Sequence, residues 1–509
     1  MTQPKKLIFL GLDGATWIQF DKFITSGKMP NLKSIINEGT KGILLSTFPF
    51  TSRTSWLNML SGTNPGKHGV PHHIVGGKHE IPLLHNLLSK NNIQSIIVNN
   101  LVIFPPEKIK GIMITGGFST PPSSKNYVFP RILYDEINST VNGYIPALDP
   151  SIITKIEQGE IEDAFQQLDE YGKKIVKTSL HLAKKYDWQF LLTILENTDY
   201  LHHFFWDKPE YLERFYSWLD KVLLDFKKLA EDNVANFIIV SDHGFGPIKK
   251  HFLVNSWLSS ENLTKLGKPS HVRKALSKLK IKRGFVRKNL SAIGMRGLAS
   301  KLTPSELKKM VPIDEDEVGF IQENSGVFSE AYNEITVKID NPENYEKTRN
   351  LIIEKLLNLE DEGTKVVKEA RKREDVFSGA FSKRAYDIQF LLNNGYCWSP
   401  SIRENFLLTS KELKISRVGD HRPEGIILAI GPDIKKSYTL SKTYFHWDIC
   451  PTVLHMMETD IPSYCDGNLI REIFMEQSSF FTKSISKQEI SEKESLKDII
   501  SKKKSFIKK

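Results

Sequence analysis

Carboxylate and imidazole side chains recur beside apolar runs of this sequence. One aspartate follows KKLIFLGL, others follow WQFLLTIL and NFIIV, and a histidine precedes GIILAI. An apolar strand that ends in such a residue places it at the carboxyl edge of an α/β sheet, where these sheets build their sites. Mixed nitrogen and oxygen donors suit Zn²⁺ or Mn²⁺ better than Ca²⁺ or Mg²⁺. The sequence therefore predicts two divalent metal ions, with zinc favoured over manganese, and six candidate ligands: Asp13, Asp199, His203, Asp242, His243 and His421.

The segment DYLHH adds a spacing argument. Asp199 and His203 stand at i and i+4, so on a helix both side chains share one face and can bind one ion. His202 then points elsewhere. DxxxH alone is weak support, and SDHG alone is equally consistent with a turn, so the prediction depends on several such motifs meeting at one sheet edge.

A cluster of hydroxyls supplies a candidate nucleophile. In FPFTSRTSWLNMLSG, a strand leads through a turn into a helix, which places Thr51, Ser52 and Thr54 near the helix N-terminus. Such a hydroxyl is ordinarily an N-cap. Backbone N–H groups at that end also favour an anion, and a bound metal makes a hydroxyl a competent nucleophile at neutral pH. One of the three hydroxyls is expected to be both cap-positioned and metal-bound.

These residues need a scaffold of alternating strands and helices. The apolar runs predict strands over 7–12, 42–45, 93–98, 111–115, 190–195, 237–240 and 426–430. Helical periodicity predicts helices over 29–38, 55–60, 153–185 and 209–229. The alternation indicates an α/β fold with a doubly wound, mostly parallel sheet covered by helices on both faces.

The alternation of strands and helices is interrupted once along the chain, and this interruption predicts the domain organisation. Residues 1–250 form the first part of the catalytic core, and 251–400 form an inserted cap or lid subdomain. The core resumes over 401–475. A Ser/Lys/Glu-rich, disordered tail follows over 476–509.

Composition narrows the class of protein. The 509 residues are 40% hydrophobic and 26% charged, enough for a large buried core. Three cysteines form no CxxC pair and no disulfide framework, and no apolar run reaches the length of a membrane span. We therefore expect a cytoplasmic protein.

The net charge of +10 is concentrated in two stretches. Residues 265–305 contain no Asp or Glu, and the chain ends in SKKKSFIKK. Such blocks are usually solvated surface, although they also favour an anionic substrate or a weak contact with an anionic surface. No module that recognises specific nucleic-acid sequences is recognisable.

At this point the motifs resemble a known family. LIFLGLDGATW, FPFTSRTSWLNMLSGTNPGKHGV, ENTDYLHHFFW, SDHGFGPIKKHFLVNSWL, GDHRPEGIILAIGPDI and WDICPTVLHMM occur in that order. Together they are similar to the type I phosphodiesterase/nucleotide pyrophosphatase branch of the alkaline phosphatase superfamily. The resemblance implies an alkaline phosphatase-like fold and two metals. One ion would be held by Asp199, His203 and His421, and the other by Asp13, Asp242, His243 and the nucleophile.

The resemblance also assigns the nucleophile. Aligning Trp56 and SG with the family pattern places it at Ser52, where the branch usually has threonine, and Thr51 remains the alternative after a one-residue slip. Ser55 stands where the nucleotide pyrophosphatases hold a phosphoryl oxygen with asparagine, which puts nucleotide specificity in doubt. Ser55 and Arg53 are the candidate substrate contacts. The implied activity is a metal-dependent phosphoric ester hydrolase with a phosphoenzyme intermediate, and diesters are favoured.

Related activities remain alternatives. Sulfatases carry Cys/Ser-x-Pro-x-Arg, and neither that proline nor that arginine is in register after Ser52. A phosphomonoesterase and a phosphoglycerate mutase-like phosphotransferase share the two-metal site, although the arginine-rich pattern of the mutases is absent. An inactive binding scaffold is the remaining alternative, and the full set of expected ligands argues against it.

Overall fold

The computed structural model describes residues 5–71, 79–267, 320–322 and 324–489. The chain divides into two compact units, Met1–Pro247 with Phe377–Ala385 and Ile415–Lys509, and Ile248–Val376 with Tyr386–Lys414. The second unit thus begins and ends a little apart from the predicted limits of 251 and 400, and the short segment Phe377–Ala385 returns to the first. That the second unit acts as a lid stays a prediction.

The first unit is built on one ten-stranded sheet. Its strands are β1 (Leu7–Leu12), β2 (Thr40–Leu45), β3 (Ser95–Asn100), β4 (Gly111–Thr115), β5 (Val128–Phe129), β6 (Phe190–Leu195), β7 (Asn236–Val240), β8 (Glu424–Ile430), β9 (Tyr438–Thr439) and β10 (Tyr444–Phe445). The order is β9-β2-β8-β7-β1-β6-β3-β4-β5, with β10 also beside β2. Strand β8 runs antiparallel to β2 and β7, and β5 antiparallel to β4, while the other neighbours are parallel.

Both faces of this sheet are buried. Ile8 and Leu10 of β1 join one apolar cluster, whereas Leu7 and Phe9 join another on the opposite face. Successive side chains of a strand point to opposite faces, so a continuous apolar run is what a sheet covered on both sides requires. The predicted α/β, doubly wound and mostly parallel fold is confirmed.

Helices cover the two faces. In the first unit they are Trp17–Thr25, Pro30–Glu38, Ser52–Ser61, Pro65–His68, Leu84–Lys90, Tyr134–Val141, Ser151–Glu157, Ile161–Lys185, Asn197–Phe205, Pro209–Asp232, Ile449–Met456 and Ser479–Thr482. The single helix predicted over 153–185 is wrong. It is two helices, because Gly159 adopts a φ of +85°, a left-handed conformation that ends the first of them.

The second unit has its own core. A four-stranded antiparallel sheet has the order Val327–Phe328, Glu334–Val337, Ile388–Leu392, Val367–Lys372, and helix Pro342–Asn358 contributes to the same core. Among the described residues its other helices are Val254–Ser260, Arg373–Val376 and Ser410–Leu413, and a further sheet combines Gly244–Leu253 with Gly395–Ser399 and Leu407–Leu408. Most of the basic stretch 265–305 lies outside the described residues.

The predicted tail begins too early. Phe480, on helix Ser479–Thr482, is fully buried in the core of the first unit, and strand Lys487–Gln488 pairs with Ile461–Pro462. The apolar pair at 480–481 therefore extends the core past 475, and residues 490–509 lie outside the described part. No helix in that described part is long and apolar enough to cross a membrane.

Candidate active site

Three of the predicted ligands form one cluster, which we call the Asp199 cluster: Asp199, His203 and His421. The Nε2 atom of His421 lies 3.2 Å from Oδ1 of Asp199 and 3.0 Å from Nε2 of His203. His203 Nε2 lies 3.4 Å from the same carboxylate oxygen. The predicted i, i+4 pair therefore converges on one point together with a histidine more than two hundred residues away in sequence.

Helix and strand packing explains this convergence. Helix Asn197–Phe205 starts directly after β6, so it carries Asp199 and His203 at the carboxyl edge of the sheet. Strand Gly419–Arg422 pairs antiparallel with residues 244–247, which places His421 opposite Phe245. The backbone of Val418 also donates to the carbonyl of His203 at 2.8 Å.

The other three ligands form a second group, the Asp13 cluster: Asp13, Asp242 and His243. Nε2 of His243 lies 3.5 Å from Oδ1 of Asp13 and 3.4 Å from Oδ2 of Asp242. These residues follow β1 and β7, which are parallel neighbours, so their side chains meet at the same edge. The ring of His243 stacks on that of His421 with centroids 3.9 Å apart, and the two clusters therefore adjoin.

Ser52 is the hydroxyl that reaches the Asp13 cluster. Its Oγ lies 3.1 Å from Oδ1 of Asp13 and 3.3 Å from Nε2 of His243. Ser52 is the first residue of helix Ser52–Ser61, which begins earlier than the predicted 55–60. The Thr51 hydroxyl instead donates to that of Thr54 at 3.4 Å. The structure therefore brings Ser52, and neither threonine, against the ligands.

Backbone carbonyls orient all three imidazoles in the same way. The Nδ1 atoms of His203, His421 and His243 donate to the carbonyls of Gly419, Phe50 and Gly244, at 2.9, 2.7 and 3.1 Å. A carbonyl accepts only, so each neutral ring keeps its Nε2 lone pair for the cluster. The lone pairs of His203 and His421 face each other, which is unfavourable unless a cation lies between them.

The donor sets fit metal ions. Two ligands of a tetrahedral zinc, with bonds of about 2.0 to 2.1 Å, are about 3.4 Å apart. The separations within both clusters and around Ser52, from 3.0 to 3.5 Å, match that spacing. Oδ2 of Asp242 is also buried and accepts no hydrogen bond from the described residues. A buried carboxylate oxygen without a hydrogen-bond donor is stabilised only by a cation or by a proton.

The electrostatic environment of the two clusters also favours bound metal ions. Burial, and then the neighbouring carboxylate of Asp242, raises the pKa of Asp13 well above its usual range, and burial also raises the pKa of Asp242. Burial lowers the pKa values of His203 and His243 well below the usual range. The metal-free site thus favours neutral imidazoles, the form that binds metals, and penalises two adjacent carboxylates that a divalent ion would stabilise.

The two predicted substrate contacts differ in their surroundings. Ser55 is fully buried, and its hydroxyl pairs with that of Ser46 at 2.8 Å. That position suits packing and not the exposed contact expected of a substrate-binding residue. Arg53 is half-buried beside Ser52, and burial lowers its pKa.

Two residues near the ligands were not predicted to contact them. Trp56 donates its indole N–H to Oδ2 of Asp13 at 3.0 Å, and Nη2 of Arg417 lies 3.2 Å from Nε2 of His203. Trp56 stands one helical turn after Ser52, and Arg417 four residues before His421. This proximity in sequence was the only available signal, and it does not show which way a side chain turns.

Comparisons with known proteins extend these observations. A family model described as type I phosphodiesterase / nucleotide pyrophosphatase matches residues 7–405, so His421 lies beyond the matched range. No curated protein matches the chain in sequence.

Solved structures of alkaline phosphatase PafA share the fold. Wild-type alkaline phosphatase PafA aligns with a TM-score of 0.55 and 13% identity, over 93% of this chain and all of that one. A four-substitution variant of PafA gives a TM-score of 0.53 at 13% identity, with the same coverage of both chains. Human ectonucleotide pyrophosphatase / phosphodiesterase 5 gives a TM-score of 0.46 at 14% identity, over 89% of this chain and 95% of that one.

The family model spans most of the chain, and the sheet that carries both clusters has the alkaline phosphatase-like fold. Members of the family that this model describes are phosphoric ester hydrolases that generally depend on two metal ions. The chain therefore belongs to the type I phosphodiesterase / nucleotide pyrophosphatase family.

Proposed function

We propose that this protein is a two-metal phosphodiesterase in which Ser52 is the nucleophile. The observation that carries the proposal is the position of the Ser52 hydroxyl, within 3.3 Å of both an aspartate and a histidine of the buried Asp13 cluster. The family supports a phosphoric ester as substrate. A diester is favoured over a monoester because the family match is to the phosphodiesterase branch.

The residues that would hold the ions are the two clusters. The Asp199 cluster would hold one ion, and the Asp13 cluster with Ser52 the other, with Zn²⁺ favoured and Mn²⁺ the alternative. Bound ions of this kind lower the pKa of a coordinated hydroxyl and offset negative charge on phosphoryl oxygens.

The first half of the reaction forms a phosphoserine. Asp13 and His243 orient the Ser52 oxygen, which releases its proton to solvent and attacks phosphorus as the bond to the leaving alcohol oxygen breaks. The leaving oxygen takes up a proton from solvent. The N-terminal end of helix Ser52–Ser61 carries the positive end of the helix dipole beside Ser52, which favours negative charge on the phosphoryl oxygens.

The second half restores the enzyme. Water attacks the phosphoserine, the bond between phosphorus and the Ser52 oxygen breaks, and the phosphate monoester leaves. The serine oxygen regains a proton and returns to its contacts with Asp13 and His243. The net reaction converts a diester and water into a monoester and an alcohol.

The nucleophile is tested by exchanging neighbouring hydroxyls. Ser52→Ala should lower turnover of bis-nitrophenyl phosphate at least about a thousandfold, about 4 kcal/mol of barrier. Thr51→Val is the matched control, since the Thr51 side chain makes no capping bond to its helix, and it should stay close to wild type. Near-normal turnover in Ser52→Ala with an inactive Thr51→Val would move the nucleophile by one residue.

Metal dependence and substrate class need separate measurements. Chelation should abolish activity, and zinc or manganese should restore it. Fewer than about one ion per folded chain at saturation would instead favour the inactive scaffold. The metal-loaded enzyme is then assayed on bis-nitrophenyl phosphate, nitrophenyl phosphate, nitrophenyl thymidine phosphate and nitrophenyl sulfate. A monoester preference above about tenfold would contradict the diesterase assignment and leave the site unchanged.

A further inference from the structure

The guanidinium of Arg417 lies at the edge of the Asp199 cluster. Its Nη2 is 3.2 Å from Nε2 of His203 and 2.6 Å from Oδ1 of Asp420. The Arg417 side chain is 35% exposed, whereas that of Asp420 is 1% exposed. A buried carboxylate therefore holds the charged group of Arg417 at a ligand, on a side that solvent reaches.

The contact with His203 uses the lone pair that a metal would need. Nδ1 of His203 donates to the carbonyl of Gly419, so Nε2 must be the acceptor for Arg417. The same Nη2 atom contacts His203 and Asp420, so an ion bound to Nε2 makes the guanidinium shift away from His203, while the buried Asp420 keeps it near the cluster. The shifted guanidinium then lies beside the ion, where an anionic ligand of that ion can accept hydrogen bonds from it.

Phosphoryl oxygens are suitable acceptors at that place. A guanidinium is permanently charged, and its planar fork of donors matches two oxygens of one phosphoryl group. Arg422 provides a contrast, because its guanidinium donates to the backbone carbonyls of His421 and Pro247 and is 7% exposed. Arg422 therefore stabilises the strand, whereas Arg417 faces the cluster.

We infer that Arg417 is a substrate-binding residue that donates to a non-bridging phosphoryl oxygen, and that Asp420 is the positioning residue that holds it. The inference rests on the proposed phosphoric ester chemistry and adds to it a contact outside the ligand set. It also places the phosphoryl group against the more exposed of the two clusters.

The test measures binding as well as turnover. Inorganic phosphate is titrated calorimetrically into the metal-loaded protein, and metal content is determined by elemental analysis. Arg417→Met should weaken phosphate binding about 10- to 100-fold and raise KM more than it lowers kcat, with unchanged metal content. Arg417→Lys and Asp420→Asn should give smaller losses. Arg214→Met, which removes an exposed arginine paired with Glu162, is the matched control and should bind phosphate as wild type does.

Each other result has a defined meaning. Phosphate affinity within about twofold of wild type in Arg417→Met, at full metal content, would overturn the inference. Loss of an ion together with phosphate binding would also overturn it, because Arg417 would then act through His203. If the wild type hydrolyses no ester but Arg417→Met still weakens phosphate binding, the proposed function fails and the phosphate contact stands.

Discussion

The two ligand clusters adjoin each other but differ in burial and in charge. Side chains of the Asp13 cluster are 0% exposed, whereas Asp199, His203 and His421 are 14%, 11% and 10% exposed. The buried cluster contributes two carboxylates and contacts Ser52, and the more open one contributes one carboxylate and two imidazoles. The Asp13 cluster is therefore suited to retain an ion beside Ser52, the proposed nucleophile, and the Asp199 cluster to exchange water and substrate.

This difference follows from the elements that carry the ligands. Asp13 and Asp242 follow neighbouring parallel strands in the middle of the sheet, where both faces are covered. His421 instead lies on strand Gly419–Arg422, which pairs with residues 244–247 outside the central sheet. A site built at one edge of one sheet thus contains a fully buried part and a part that reaches solvent.

Removing one carboxylate from each cluster should give the largest effect. Asp242→Asn should abolish retention of the ion in the Asp13 cluster. It should also lower turnover at least about a thousandfold, which is about 4 kcal/mol of activation barrier. Asp199→Asn should lose the ion of the Asp199 cluster, while the ion of the Asp13 cluster survives dialysis against a weak chelator. Elemental analysis during stepwise dialysis measures both.

Asp207→Asn is the matched control, because Asp207 is an exposed residue paired with Lys208. It should retain both ions and full turnover. If the wild type loses the ion of the Asp13 cluster before that of the Asp199 cluster, the assignment of retention to the buried cluster is wrong.

An intermediate effect is expected from Trp56, which contacts only the buried cluster. Trp56→Phe removes the indole N–H that donates to Asp13 at 3.0 Å. Losing a partner that orients a metal ligand typically costs about 10- to 100-fold in metal affinity or activity. Metal titration and kcat/KM measure the loss.

Trp257→Phe provides the control for packing, since Trp257 is equally buried but belongs to the core of the second unit. It should lower stability and leave metal affinity unchanged. Equal losses of metal affinity in both variants would show that the Trp56 effect is a general consequence of cavity formation.

The smallest effect concerns the metal-free protein. Burial raises the pKa of Asp242 above its usual value near 3.8, so the folded state binds this proton more tightly than the unfolded state. Its contribution to stability is present below about pH 4 and is lost as pH rises through the folded pKa. Metal-free Asp242→Asn should therefore be more stable than wild type at pH 7, on the order of 1 kcal/mol, with the difference disappearing near pH 4.

Denaturant unfolding in chelator at several pH values measures this difference. The lowered pKa values of His203 and His243 act in the opposite direction, since they destabilise the folded state as pH falls below about 6.5. Both histidines are present in wild type and variant, so their contribution largely cancels. A difference that grows toward acidic pH would contradict the assigned direction.

Much of the scaffold could be predicted from local pattern. β1, β4 and β6 have the bounds predicted from apolar runs, since a strand buried on both faces needs a continuous apolar segment with polar residues at its end. The helix over 153–185 could not be predicted correctly, because its amphipathic pattern continues while the backbone turns at Gly159.

The sequence by itself determined which residue types stand at the strand ends, because burial of each apolar run limits where the following Asp or His can lie. It left Thr51 and Ser52 as alternatives, since neighbouring hydroxyls at a helix start differ only in direction. Tertiary packing decided that direction: it turned the Ser52 hydroxyl toward Asp13 and the Ser55 hydroxyl toward Ser46. It also brought Arg417 to His203, since strand Gly419–Arg422 pairs with residues 244–247, more than 170 positions earlier, which no local pattern specifies.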